Sequence, residues 1–102
     1  MEVNFLNKEL LKLYETGKSK KYRLTTNVIQ GFFEVVAILI ASTDILDLWK
    51  DPSLNFEKLQ GFKKRYSLRI TRKFRLEVEI EWENKEKTIG IIGIDEISNH
   101  YR

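Results

Sequence analysis

The feature that most limits what this chain can fold into is an alternation of period two between residues 66 and 83. Tyr66, Leu68 and Ile70 alternate with Ser67, Arg69 and Thr71, and Phe74, Leu76, Val78, Ile80 and Trp82 alternate with Arg75, Glu77, Glu79, Glu81 and Glu83. Successive side chains of a strand point to opposite faces, so this pattern describes two half-buried strands turning through Thr71, Arg72 and Lys73. Residues 84–87 read as a polar turn and residues 88–94 as a third strand. A meander with one apolar face needs a second layer to cover it.

The upstream half supplies that layer. Residues 3–6 read as a short opening strand. Asn7 is placed to cap a helix through Leu10, Leu11, Leu13 and Tyr14, with Gly17 just past its end. Thr25 or Thr26 can cap a second helix, in which Val28, Phe32, Val35, Val36 and Leu39 keep a helical period. That helix is either core or a sticky face for a partner. Residues 44–50 form a further helical turn or two, closed by Asp51-Pro52. The expectation is a small α+β domain over residues 1–102, with an N-terminal strand and two to three helices packed on an antiparallel β-meander.

Several chemistries are excluded by composition. The chain has no cysteine and one histidine, which removes disulfides, a thiol nucleophile and a Cys/His zinc site. The apolar run 32–41 is broken by Glu34 and is too short to span a bilayer. The first ten residues lack the basic start and long apolar run of a signal peptide. The reading is a cytoplasmic protein that uses no cofactor and meets no membrane.

Charge is concentrated. Lys58, Lys63, Lys64, Arg65, Arg69, Arg72, Lys73 and Arg75 lie within residues 58–75, where there is no acidic residue. The rest of the chain carries 10 basic and 15 acidic residues. Such polarity is the footprint of a polyanion partner, set against the plainer reading of a solvated face. A turn at residues 71–73 puts Ile70 opposite Phe74 on the core side and Arg69 opposite Arg75 on the open side. Like charges in that arrangement cost a few tenths of a kcal/mol up to ~1, which an anionic ligand would offset. Pairing Glu83 with Thr88 sets residue 75 against residue 96 and brings His100 and Tyr101 beside the basic hairpin. A bulge is expected near residues 90–93, because the alternation of Ile89 and Ile91 does not match that of Ile92 and Ile94. Histidine is the side chain suited to acid–base work near neutrality, which makes His100 a candidate, and Tyr101 can act as an acid or stack on a base, unless both are a frayed tail.

These segments resemble a known family. Asn4-Phe5, Glu9-Leu10 and Leu13-Tyr14-Glu15-Thr16-Gly17, then residues 59–70 and Arg72-Lys73-Phe74-Arg75-Leu76, are similar in order and spacing to the HigB-like toxins of type II toxin–antitoxin pairs. Those toxins, also called plasmid maintenance killer proteins, belong to the RelE/ParE superfamily. The resemblance implies a RelE-like fold and a ribosome-dependent, metal-independent mRNA endonuclease that inhibits translation. Arg69 and Arg75 would stabilise transition-state charge, and His100 or Tyr101 would serve as the acid–base group. Lys58, Lys63, Lys64, Arg65, Arg72 and Lys73 would hold mRNA or ribosomal RNA. The implied partner is a helix-turn-helix antitoxin of the HigA kind, with operator DNA reached only through it. The second helix and Trp49 are candidate antitoxin contacts. A gyrase-inhibiting toxin of the ParE branch, or a plain RNA-binding module, are the competing readings.

Overall fold

The computed structural model describes residues 1–99. A short strand β1 (Glu2–Phe5) leads into helices α1 (Lys8–Thr16), α2 (Thr26–Ala41) and α3 (Ile45–Trp49) and a 3₁₀ turn at Pro52–Leu54. Strands β2 (Glu57–Lys58), β3 (Arg65–Arg69), β4 (Phe74–Trp82) and β5 (Gly90–Asn99) follow. Together they form a five-stranded sheet in the order β1-β5-β4-β3-β2. The expected antiparallel meander is β3-β4-β5. The opening strand joins it in parallel with β5, and the sheet is therefore mixed.

Local chemistry fixes the helices. Asn7 Oδ1 accepts from the Glu9 and Leu10 amides at 2.9 and 3.2 Å, which satisfies two donors that a helix start leaves unpaired. α1 ends at Gly17 in the left-handed conformation. Thr25 occupies the cap position of α2 but makes no side-chain cap bond, and its hydroxyl instead meets Asn27 Oδ1. All five apolar residues that set the period of α2 are buried, together with Gly31. The helix is core, packed across the apolar face of the sheet. A β-carbon on Gly31 would lie 2.8 Å from Ile70 Cγ2 and 3.0 Å from Ile70 O. Only glycine lets α2 approach the β3–β4 turn this closely. Leu68 and Leu76, paired across that hairpin, are fully buried beneath it.

The register of the last strand differs from the sequence expectation. Asn84 Oδ1 accepts from the Thr88 and Ile89 amides, and this wider loop pairs Trp82 with Gly90. No bulge falls at residues 90–93. Ile91 simply faces the open side, and Gly93 lets Leu6 lie against it, since a β-carbon there would be 2.7 Å from Leu6 Cδ1. The irregularity lies further on, where the pairing steps from Glu77↔Glu96 to Val78↔Ile94 and leaves Asp95 as the extra residue. That step keeps Ile94 and Ile97 both buried in the core. Arg75 therefore faces Ser98, not residue 96.

Candidate nucleic-acid interface

The β3–β4 hairpin has the expected register, with Arg69 opposite Arg75. The Ile70 and Thr71 amides both donate to Phe74 O, at 2.9 and 3.1 Å, and Phe74 N donates to Thr71 Oγ1 at 3.2 Å. This tight turn presents Arg72 and Lys73 to solvent. Behind the turn, Thr25, Asn27, Arg72, Lys73 and Phe74 line part of a cleft of about 420 Å³ against the start of α2.

The two opposed arginines are not equivalent. Arg69 is exposed and has no hydrogen-bond acceptor among the described residues. Arg75 is only 12% exposed at its side chain. Its Nε donates to Ser67 Oγ at 2.9 Å, and its Nη2 donates to the carbonyls of Asn55 and Ser67. Glu57 Oε2 lies 3.2 Å from the same Nη2. Burial lowers the Arg75 pKa below its ordinary value, Glu57 opposes that, and the neighbouring Arg69 adds to it. Part of the repulsion between the pair is thus offset within the fold itself, and not left wholly for a ligand as the sequence suggested. Glu57, Ser67 and Asn55 were invisible as site residues. Glu57 lies one position outside the basic segment, and a two-residue strand is too short to show a period.

The basic segment divides in two. Arg65 lies under the open face with its side chain 13% exposed, and it bridges three acids. Its Nε donates to Glu77 Oε1 at 2.8 Å, and its Nη1 reaches Glu79 Oε2 at 3.2 Å and Asp95 Oδ2 at 2.9 Å. Burial opposes its charge, but the hydrogen bonds to Glu77 and Asp95 outweigh that and hold it above its ordinary range. Lys64 pairs with Glu81 and sits 3.9 Å from Glu79. The Phe62 ring stands exposed 5.7 Å from the Arg65 guanidinium. Arg65 and Lys64 therefore neutralise the Glu77–Glu81 row. Lys58 and Lys63 near one end, and Arg69, Arg72 and Lys73 at the turn, are exposed, as is Lys64.

Strand β5 runs towards the turn as far as Asn99, pairing Ser98 with Arg75 and Asn99 with Phe74. His100 and Tyr101 lie outside the described residues. Beside the bulge, Tyr22 reaches from the α1–α2 connection to donate to Glu96, while Asn7 Nδ2 donates to the Tyr22 hydroxyl at 3.0 Å and to Asp95 O at 2.8 Å. Burial, then the bond to Glu96, raises the Tyr22 pKa well above its ordinary value. The unfolded chain releases that proton near pH ~10 while the folded chain keeps it, so stability falls as pH rises beyond ~10. Tyr22→Phe is expected to flatten that loss, measured as urea midpoints between pH 9 and 11. An unchanged slope would remove Tyr22 as its source.

Among the described residues, no group of three or more His, Asp or Glu could hold a metal ion. No described helix is long and apolar enough to cross a membrane. Neither a protein-family model nor a curated protein matches the chain.

Proposed function

We propose that this protein is the toxin of a type II toxin–antitoxin pair, with a RelE-like fold, that cleaves mRNA on the ribosome and so inhibits translation. The observation that carries the reading is the exposed Arg69 opposite the braced Arg75, at the end of a hairpin whose turn adds Arg72 and Lys73. A braced guanidinium with an exposed one opposite it, and neighbouring cations, suits a phosphodiester better than any neutral ligand. The resemblance of residues 4–17 and 59–76 to HigB-like toxins supplies the reaction class.

The chemistry is attack of a ribose 2′-oxygen on the adjacent phosphorus. The P–O5′ bond breaks and a 2′,3′-cyclic phosphate forms. A base takes the 2′-proton and an acid protonates the departing 5′-oxygen. Arg69 and Arg75 neutralise charge on the pentavalent phosphorus, where preorganised donors act most strongly. His100 or Tyr101 exchanges the protons. Lys58, Lys63, Arg72 and Lys73 position the strand through its phosphates, a salt-sensitive role. The ribosome holds the mRNA in the reactive geometry, which the protein alone supplies poorly. Lys64 and Arg65, assigned to RNA from sequence, are engaged with acids, and their part is to keep the open face of the sheet in register. A helix-turn-helix antitoxin of the HigA kind would cover the site or the exposed Leu46 and Trp49 of α3.

Mapping mRNA 5′ ends after induction tests this directly. New ends inside ribosome-bound codons are expected within minutes of growth arrest. Arrest without new ends would replace the nuclease with a ParE-like gyrase inhibitor, and binding without arrest would leave a plain RNA-binding module.

A further inference from the structure

Arg75 already holds an anion, and that anion belongs to the protein. Glu57 pairs with Ser67 in the β2–β3 ladder, with β3 lying between it and the strand of Arg75. The Ser67 hydroxyl and carbonyl brace Arg75 from below, and the Asn55 carbonyl braces it from the side. These contacts fix the guanidinium by its Nε–Nη2 edge, and among the described residues no acceptor meets Nη1. The Glu57 side chain is 55% exposed, so its carboxylate reaches the arginine from the solvent side. Arg69 stands directly across the hairpin, exposed and with no carboxylate against it among the described residues. The result, among the described residues, is a pair of guanidiniums with one carboxylate, that of Glu57, in ion-pair contact with Arg75.

An ion pair with one exposed partner is weak. A phosphate has several acceptor oxygens and can engage both guanidiniums, which a single carboxylate held on β2 does not do. We infer that Glu57 is a built-in occupant of the Arg69–Arg75 anion site, displaced when a phosphate group binds, and that it thereby sets the affinity of the site. This role rests on the phosphodiester site proposed above. It makes isolated phosphates poor ligands and favours a polyanion presented in fixed geometry, whose other phosphates meet Arg72 and Lys73.

The test is calorimetric titration of the full chain with inorganic pyrophosphate at low ionic strength. E57Q keeps the shape of the side chain and removes its charge. It is expected to lower Kd about two- to fivefold, the range an exposed ion pair spans. R69A is expected to weaken binding. E86Q, which removes the same charge from the distant β4–β5 loop, controls for net charge and should shift Kd less than E57Q. Unchanged or weaker binding in E57Q, or equal tightening in E86Q, would overturn the role of Glu57. The mRNA-end mapping reads the nuclease separately. Tighter pyrophosphate binding in E57Q without mRNA cleavage keeps Glu57 as the occupant and removes the nuclease. Cleavage with unaltered pyrophosphate affinity in E57Q removes Glu57 alone.

Discussion

Replacing Arg69 with alanine is expected to abolish growth arrest on induction while leaving the thermal midpoint unchanged or slightly raised. Its side chain is exposed and makes no hydrogen bond to any described residue, so truncation removes nothing that holds the fold. It also removes the repulsion from Arg75 opposite, a gain of a few tenths of a kcal/mol. In the proposed cleavage the loss falls on the transition state, where removing a donor aimed at developing charge costs about 10²–10³ in rate. Arg75 lacks this separation of effects. Its alanine variant would strand Ser67 and the Asn55 carbonyl along with the chemistry, so lost toxicity there has two explanations. Persistent arrest in Arg69→Ala, with unchanged mRNA ends, would remove the arginine pair from the mechanism.

The largest effect on stability is expected at Arg65. Its guanidinium joins Glu77, Glu79 and Asp95 across three strands of the sheet, with Glu77 only 12% exposed at its side chain. Arg65→Ala would leave these carboxylates clustered and partly desolvated without the guanidinium that joins them. Breaking a buried pair by removing one partner costs about 3–5 kcal/mol, and the partial exposure here points to the lower end, ~3 kcal/mol. For a chain of this size that is a fall in midpoint of roughly 15 °C. Thermal unfolding followed by circular dichroism measures it. A loss below ~1 kcal/mol would return Arg65 to the exposed, RNA-facing set in which its sequence context first placed it.

That contrast shows where the sequence was readable. The alternation through residues 66–83 determines which side chains face the core. The short turn determines which residues oppose each other, so the Arg69–Arg75 pairing follows from local information alone. The caps of α1 and the buried stripe of α2 are equally local. A charge count, however, cannot show whether a cation finds a partner. Arg65 and Arg75 sit in the same basic run as Arg69, yet their acids arrive from β4, β5 and β2, at sequence distances no motif records. The bulge was misplaced for a related reason. Gly90 and Gly93 look like irregularities, but they are small because Ile80, Trp82 and Leu6 crowd them. The true step at Asp95 carries no glycine to mark it.

The parallel pairing of β1 with β5 also constrains the order of assembly. Glu2 pairs with Ile91 and Phe5 with Ile94, so the first strand made has no partner until nearly the last one exists. The β3–β4 hairpin closes over a few residues, and loop closure on that scale is fast. Joining the two ends of the chain is a long-range event that topology makes slow. The arginine hairpin is therefore expected to close early in folding, and the pairing of β1 with β5 to complete the sheet afterwards. Glu57, the carboxylate that meets Arg75, lies on β2 and is at hand as the hairpin closes, whereas Asp95, which meets Arg65, joins only when β5 docks.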